Sequence, residues 1–399
     1  MSKKQQFNYS YYLNKPRFIE KYNIDLNIEK SLAMVIPTQQ KTNLTPVNKT
    51  KEMPKADKKH SNSFIAVILC GGKAVRFNNQ FKAVFEIPNA LTKDISLTFL
   101  ELNIKQIICY ENKHKVIVPV VIYDDFATRK PIRKLLKSKN YFGKNKNDFV
   151  HVMQTSWFRY IPNMEMLKKL NLSEQISKDM IPNLPLKSEV YRSRRIMDSI
   201  VGTGHFVFNS LMMSNKFINL IKNRLDITKI VVSNCDNIGK KYYSDLAMND
   251  GLNYSVVTDR KIDEKMDGVY IDKGHNEIIP YFREGNNKSI LGFTGTLYLS
   301  IDTMLSIFGI KNIKSINLKT SLNYLSNTYT PVIKEIKTTD GNKITVHYES
   351  VLSDISRFVK INPVFVKRNL CFYPFKRIGD VNETYISKWR KSVKIHKYI

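Results

Sequence analysis

The stretch Phe64-Ile-Ala-Val-Ile-Leu-Cys70, followed at once by Gly71-Gly72, decides the fold of this 399-residue chain. A continuous apolar run that ends in a glycine turn is typical of a buried strand in a parallel sheet. Similar runs recur along the chain, with amphipathic stretches between most of them, and this alternation predicts an α/β domain with a mostly parallel sheet. The predicted strands are Phe64–Cys70, Val116–Tyr123, Phe149–Met153, Ile227–Ser233 and Leu252–Val257, and the predicted helices are Ile95–Cys109, Arg129–Ser138 and Leu211–Arg224.

Composition limits the class of protein. Of the 399 residues 42% are hydrophobic, which is enough for a sizeable core. The longest apolar stretch, Val116–Tyr123, is far shorter than the roughly 18 residues that a membrane-spanning helix needs. No apolar segment follows the basic start, so no secretory signal is predicted, and we expect a cytoplasmic protein without a membrane span. The four cysteines, Cys70, Cys109, Cys235 and Cys371, form no C-x-x-C pair and are predicted to be free thiols.

The chain is strongly basic. It has 64 Lys and Arg against 35 Asp and Glu, a net charge of +29. Such an excess suits nucleic acid, an anionic membrane or phosphate-rich small molecules, and net charge alone does not choose between them. The lysines are spread along the whole chain, and no helix-turn-helix, zinc-finger or aromatic-strand signature accompanies them. This pattern favours a solvated lysine-rich surface over a nucleic-acid partner.

Three regions follow from the distribution of apolar residues. Residues 1–62 are polar and Lys-rich, which predicts a basic, disordered arm with a short helix around Ile24–Met34. Residues 63–380 carry the alternating strands and helices and form the predicted α/β domain. Residues 381–399 are predicted to be a basic C-terminal tail. The sequence does not indicate the oligomeric state.

Ligands of parallel sheets bind beyond the carboxyl ends of the strands, so the segment after the first strand is the first candidate site. Gly71 and Gly72 allow a tight turn that exposes backbone amides, and Arg76 and Lys82 add positive charge suited to a polyphosphate. The segment matches neither the P-loop nor the dinucleotide-binding glycine pattern. A plain Gly-Gly turn beside a solvated basic loop remains the alternative.

Three further loops carry polar side chains at predicted strand ends. Asp236, with an asparagine two residues before it and another after it, has the chemistry to hold Mg²⁺ through one carboxylate, although an Asx turn explains the pattern as well. Gln154 offers an amide to a base edge, or is a buried structural glutamine. Lys376 follows a loop-stiffening proline and suits charge on phosphoryl oxygens. The segment Asp124–Thr128 opens a helix and could be only a cap.

Taken in order, these segments resemble the UDP-sugar pyrophosphorylases, the eukaryotic-type UDP-glucose and UDP-N-acetylhexosamine pyrophosphorylases. The likeness runs from about Phe64 to Asp380, and its strongest motif is N-x-D-N-L, which is matched by Asn234–Ile238. The other matching segments are Leu69–Lys82, Asp124–Thr128, Val152–Gln154, Gly202–His205, Val257–Lys261, Phe293–Tyr298, Tyr348-Glu349 and Phe372–Lys376.

The resemblance implies that residues 63–380 are a nucleotidyltransferase catalytic domain, a glycosyltransferase-A-like Rossmann core with a mixed, mostly parallel sheet. Many family members carry a C-terminal β-helix, and we expect none here because the chain ends soon after the motif that closes with Lys376. The resemblance also implies Mg²⁺-dependent transfer of uridylate from UTP to a hexose 1-phosphate, either glucose 1-phosphate or N-acetylglucosamine 1-phosphate. The residues carried over from the family motifs fall into four groups. They are Leu69, Gly71, Gly72, Gln154, Gly202 and Gly204 for the nucleotide; Arg76, Lys82, Arg260, Lys261 and Lys376 for catalysis; Asn237, Thr296 and Glu349 for the sugar; and Asp236 for the metal.

The chain departs from the family pattern at several of these positions. Ala74 and Val75 stand where the family has a glycine and a threonine, and alanine lacks glycine's access to positive φ. Arg260 replaces a lysine, and Gly295-Thr296 replaces a pair of asparagines. These changes support an alternative hypothesis, a catalytically inactive relative that acts as a binding or structural protein.

Overall fold

The computed structural model describes most of the chain from Ser63 onward. The described residues are 45–46, 63–71, 77, 80–90, 95–125, 127–154, 157–170, 172–176, 178–190, 200–201, 207–212, 214–248, 251–261, 264, 266, 268–272, 276–279, 290–311, 330–338, 341–349, 351–375 and 378–393. The predicted short helix near Ile24–Met34 lies outside them.

The described part of the chain alternates short strands and helices. The strands are β1 Thr45–Pro46, β2 Ile65–Leu69, β3 Glu86–Ile87, β4 Leu97–Thr98, β5 Val120–Asp124, β6 Phe149–Met153, β7 Trp157–Phe158, β8 Tyr160–Ile161, β9 Glu189–Val190, β10 Ile200–Val201, β11 Lys229–Asn234, β12 Tyr254–Asp259, β13 Gly268–Asp272, β14 Asn276–Ile279, β15 Leu291–Ser300, β16 Thr330–Thr338, β17 Gly341–Glu349 and β18 Asn362–Phe365. The helices are α1 Phe99–His114, α2 Arg129–Ser138, α3 Met164–Lys169, α4 Val207–Met212, α5 Asn215–Asn223, α6 Ser244–Met248, α7 Ile301–Ile307, α8 Arg368–Cys371 and α9 Glu383–Val393.

A ten-stranded sheet organises the molecule. Strands β6, β5, β2 and β11 are parallel neighbours in that order, β15 follows antiparallel to β11, and β12 and β18 complete this side. Strand β13, with β14 and β1, pairs with the other half of β15. The α/β class and the mixed, mostly parallel sheet predicted from the sequence are confirmed.

Apolar residues cover both faces of this sheet, because alternate residues of a strand point to opposite faces. In β2, Ala66 and Ile68 face the cluster that includes α1, α2 and α9. Ile65 and Val67 face the cluster that includes α4, α5 and α7. The predicted strand Phe64–Cys70 is therefore buried on both sides, as its continuous apolar run indicated.

The order of the strands places a switch point at one end of the sheet. After β2 the chain adds β5 on one side of it, whereas after β11 it adds β12 on the other side, beyond β15. In open α/β sheets this switch point is where ligands bind. The segments after Leu69 and Asn234 meet there, and Cys235 N–H donates to the Leu69 carbonyl at 3.2 Å.

Some elements differ from the sequence predictions. The predicted helix Leu211–Arg224 is two helices, because Ser214 caps α5 by accepting from the Phe217 N–H. Thr45 and Pro46, within the predicted disordered arm, pair with Asp272 and Ile271 of β13, an edge position where proline is tolerated. The predicted basic tail contains helix α9, whose apolar stripe is buried.

Candidate active site

Lys82 and Asp236 meet at the switch point. The Lys82 ammonium lies 2.6 Å from an Asp236 carboxylate oxygen and donates to the Phe375 carbonyl at 3.0 Å. The same ammonium lies 4.8 Å above the ring of Phe77, which is completely buried. Three of the motifs found in the sequence, the opening loop, N-x-D-N and the segment that ends in Lys376, therefore converge on one point.

The backbone of the Asp236 loop, residues 234–241, is fixed by hydrogen bonds from three directions. The side chain of Asn103 in α1 donates to the Cys235 carbonyl at 2.9 Å. The Phe375 N–H donates to the Asp236 carbonyl at 3.1 Å. The Ile238 carbonyl accepts from Gln106 at 3.2 Å and from the Trp389 indole at 3.0 Å. A carboxylate on such a loop is held in place before any ligand arrives.

Close packing also fixes this loop. A Cβ added to Gly239 would lie 2.3 Å from the backbone carbonyl carbon and oxygen of Cys371, so only glycine fits. The Lys240 N–H donates to the Leu370 carbonyl at 2.8 Å. The loop and the segment that precedes Lys376 are therefore packed backbone to backbone.

Asn237 binds these two segments together with its amide. The amide nitrogen donates to the carbonyls of Thr294 and Cys371 at 3.2 and 3.1 Å, and its oxygen accepts from Gly239 and Tyr373 at 3.2 and 2.9 Å. The amide thus bonds four backbone groups while the side chain is buried. Its role toward a sugar stays a prediction.

Lys241 is a buried lysine behind this loop, and the sequence reasoning did not identify it. Its side chain has no exposed surface, and its ammonium donates to the Asn234 carbonyl at 2.5 Å and to the Asn103 side-chain oxygen. Burial lowers the pKa of Lys241 to about 8, while the neighbouring Cys235, Asp236 and Cys70 oppose that shift. In sequence it was indistinguishable from the many solvated lysines.

Gly71 and Gln154 form a second part of the site. A Cβ on Gly71 would lie 2.0 Å from the Gln154 side-chain oxygen, so the glycine backbone rests directly on this amide. Gln154 is 2% exposed, and neither its side-chain oxygen nor its nitrogen has a hydrogen-bond partner among the described residues. A buried amide without partners is costly unless another group satisfies it. This arrangement suits the edge of a nucleobase.

Two aspartates at the end of β5 lie next to this part of the site. The backbone N–H of Gln154 donates to the Asp124 carbonyl at 2.6 Å, and an Asp125 carboxylate oxygen lies 3.8 Å from where a Cβ of Gly71 would be. The completely buried Asp124 carboxylate accepts from Arg129 at 2.6 and 2.8 Å and lies 2.6 Å from the His151 ring nitrogen Nδ1. Asp125 accepts from the Thr128 N–H and hydroxyl at 2.7 and 2.9 Å. Thr128, the residue before α2, makes no side-chain capping bond to the helix, so these bonds fix the turn ahead of α2 and do not cap it.

The remaining predicted residues lie in several places. Arg260 and Lys261 follow β12, which β15 separates from β11; the Arg260 side chain is buried and donates to the Glu264 carbonyl at 2.8 Å. Thr296 is buried in β15 opposite Ser233, and Glu349 ends β17 opposite Thr330. Leu69 ends β2 beside Asn234. Gly72, Arg76, Gly202, Gly204 and Lys376 lie outside the described residues.

The donor set near Asp236 suits a magnesium ion that phosphates help to bind. Among the described residues, no group of three or more His, Cys, Asp or Glu side chains is placed to enclose a metal. Mg²⁺ usually takes one or two carboxylates from a protein and completes its shell with water and substrate phosphates. Asp236, beside the cationic Lys82, fits that arrangement.

Comparison with known proteins rests on structure. No family model and no curated protein sequence matches the chain. A UDP-N-acetylglucosamine pyrophosphorylase from Trypanosoma brucei, solved in complex with an inhibitor, aligns with a TM-score of 0.62 at 14% identity, over 94% of this chain and 75% of that one. A UDP-glucose pyrophosphorylase from Leishmania major aligns with a TM-score of 0.60 at 14% identity, over 88% and 73%.

A UDP-glucose phosphorylase from Trypanosoma brucei aligns with a TM-score of 0.61 at 14% identity, over 85% of this chain and 69% of that one. Within the described part of this chain, no helix has the length and hydrophobicity that crossing a membrane requires. These alignments cover 85 to 94% of the chain. The chain therefore has the fold of the UDP-sugar pyrophosphorylases.

Proposed function

We propose that this protein is a uridylyltransferase that converts UTP and a hexose 1-phosphate into a UDP-sugar and pyrophosphate, with Mg²⁺. The hexose 1-phosphate is glucose 1-phosphate or N-acetylglucosamine 1-phosphate. The observation that carries the proposal is the contact between Lys82 and Asp236, which are 154 positions apart in sequence and meet at the switch point of the sheet. The solved proteins of the same fold named above are pyrophosphorylases of UDP-sugars.

The reaction needs positioned and neutralised phosphates more than it needs acid–base chemistry. A phosphate oxygen of the hexose 1-phosphate bonds to the α-phosphorus of UTP, while the bond to the bridging oxygen breaks and pyrophosphate leaves with that electron pair. Mg²⁺ held by Asp236 would neutralise phosphate oxygens. Lys82 would donate to the triphosphate, and the Gln154 amide beside Gly71 would pair with the uracil edge.

The remaining predicted residues complete the proposed site. Arg76 and Lys376 would add charge at the triphosphate, with Arg260 or Lys261 at the edge of the site. Backbone groups of Leu69, Gly72, Gly202 and Gly204 would approach the nucleotide. Thr296 and Glu349 would contact the sugar. Asn237 would hold the loop that carries Asp236 and would lie next to the sugar.

The test is release of pyrophosphate from UTP by the full chain with Mg²⁺ and each hexose 1-phosphate. Asp236→Asn should reduce the rate by about 100-fold or more, because a metal's charge neutralisation is worth several kcal/mol. Asp302→Asn is the matched control, since Asp302 is exposed in the first turn of α7. Folded wild-type protein that releases no pyrophosphate with any hexose 1-phosphate would overturn the proposal.

The second candidate is a binding protein that keeps the fold without catalysis. The observation in its favour is that Arg260, which stands where the family pattern has a lysine, is buried and donates to the Glu264 carbonyl at 2.8 Å. Ligand binding raises the melting temperature only of a protein that binds that ligand in its native state. A Mg²⁺-dependent rise with UTP, together with turnover, rejects this candidate, whereas a rise without turnover supports it.

A further inference from the structure

Two lysines among the described residues, Lys229 and Lys241, are completely buried, and Lys241 is the one that lies behind the Asp236 loop. Its ammonium is completely buried, yet the two acceptors that it contacts, the Asn234 carbonyl and the Asn103 amide oxygen, are both neutral. No carboxylate lies within ion-pair distance of it among the residues that the structure describes. A buried charge without an ion pair is unfavourable, and replacing such a charge by an apolar side chain is often neutral or stabilising.

The titratable groups that face Lys241 come from the two strands of the switch point. Asp236 follows β11 and its carboxylate favours the charged lysine electrostatically, while the Cys70 and Cys235 thiols, which follow β2 and β11, lie beside it. Helix α1 contributes the neutral Asn103, and from β15 the Tyr298 hydroxyl donates to the Lys241 carbonyl at 2.6 Å. Burial alone does not indicate a function, because Lys229 is buried as completely. The position of Lys241, directly behind the loop that carries Asp236, is what points to a role in the site.

The geometry links Lys241 to Asp236 through the backbone. The ammonium holds the carbonyl of Asn234, the last residue of β11, two positions before Asp236. Asn103, its other acceptor, donates to the carbonyl of Cys235, one position before Asp236. Lys241 and Asn103 therefore fix the two peptide groups that precede the carboxylate.

We propose that Lys241 is a positioning residue for Asp236: its buried ammonium locks the turn from Asn234 to Asp236 against helix α1 and so aims the carboxylate toward Lys82. This inference rests on the proposed uridylyltransferase function. Misplacement of a reacting group by about 1 Å can reduce a rate by about 100-fold, so loss of this lock should affect turnover more than substrate affinity.

Two variants of Lys241 separate its charge from its hydrogen bonds. Lys241→Met removes both, and Lys241→Gln keeps an N–H donor for the Asn234 carbonyl without the charge. Lys229→Met is the matched control: Lys229 is also completely buried, begins the same strand at its opposite end, and donates to the Leu246 carbonyl at 2.6 Å. It lies outside the proposed site.

The measurements are kcat, KM for the hexose 1-phosphate and the Mg²⁺ concentration for half-maximal rate, with melting temperature as the check on folding. Lys241→Met should lower kcat by about 10- to 100-fold and raise the Mg²⁺ requirement, with KM within about twofold. Lys241→Gln should recover part of this loss, and Lys229→Met should keep the wild-type kcat.

Each other outcome overturns the assignment. A Lys241→Met enzyme with wild-type kcat and Mg²⁺ requirement shows that Asp236 needs no such lock. Failure of both Lys241 variants to fold makes the residue a requirement of folding instead. If the wild-type protein neither releases pyrophosphate nor gains stability from UTP with Mg²⁺, the proposed function itself fails, which is a different result from an active wild type with unaffected variants.

Discussion

Single residues decide how the base side of the site is built. Gly71 has no side chain, and this absence allows the Gln154 amide to lie against the backbone, 2.0 Å from where a Cβ would be. The clash would involve the far end of a side chain that can rotate, so an added methyl group would move the amide without disturbing the sheet. Gly71 is thus required for the position of Gln154 more than for folding.

Gly71→Ala tests this relation. We expect the variant to fold normally but to bind UTP about tenfold more weakly or worse, because losing one or two hydrogen bonds to the base forfeits about 1–3 kcal/mol. Isothermal titration with UTP and Mg²⁺ measures the effect. Gly379→Ala is the control, since no atom lies within 4 Å of its added Cβ. Equal UTP affinity in both variants would show that the Gln154 amide does not contact the nucleotide.

The residues of the candidate site differ in whether the sequence could identify them. Lys82 and Asp236 could be identified, because both lie in motifs with a defined spacing from a predicted strand. Lys241 could not, because burial distinguishes it from other lysines, and burial is a property of the packed chain. Asn103 could not be identified either, because in the sequence it is one of several polar residues in an amphipathic helix.

At the scale of elements, helix α9 connects the C-terminal residues to the site. Tyr385 packs its ring 5.0 Å from that of Phe375, and its hydroxyl donates to the Pro374 carbonyl at 3.3 Å. The completely buried Trp389 donates to Ile238 in the Asp236 loop. The segment was interpreted as a basic tail because its cations dominate the composition, although Tyr385, Ile386 and Trp389 have the spacing of a helical apolar stripe.

Truncation of Trp389 tests the contribution of this helix. Trp389→Ala should lower the free energy of unfolding by about 3–5 kcal/mol, the usual loss for a buried aromatic side chain. Trp389→Phe keeps most of the packing, and Gln106 still donates to the Ile238 carbonyl, so its loss should be about 1 kcal/mol. Urea unfolding measures both, with the exposed Lys388→Ala as the control. Unchanged unfolding of Trp389→Ala would mean that α9 contributes nothing to the fold.

At the scale of the whole molecule, the cations that give the net charge of +29 form two groups, a small one at the candidate site and a larger one at the surface. Few cations lie in the described site, and most described lysines are at the surface. In helix α2, for example, Lys130, Arg133, Lys134 and Lys137 are exposed, while Ile132 and Leu136 face the core. The proposed phosphate site and the surface charge are therefore separate properties.

This separation predicts how the protein responds to salt. Double-stranded DNA should bind without sequence preference at low salt, and its affinity should fall about 1,000-fold or more between roughly 50 and 200 mM salt, as expected for six or more phosphate contacts. Competition between labelled and unlabelled duplexes of different sequence measures both properties. Tight, sequence-dependent binding at 200 mM salt would contradict the prediction and favour a nucleic-acid partner.

The sequence alone determined the class of fold, the main strands along the chain and the loops that carry the candidate residues. It did so because these properties follow from local patterns, namely apolar runs, glycine turns and motif spacing. Only the tertiary structure decided that β15 lies antiparallel between β11 and β12, that Gln154 rests on Gly71, and that Lys241 is buried behind Asp236. Those properties depend on contacts between residues tens to hundreds of positions apart, and a linear pattern does not specify such contacts.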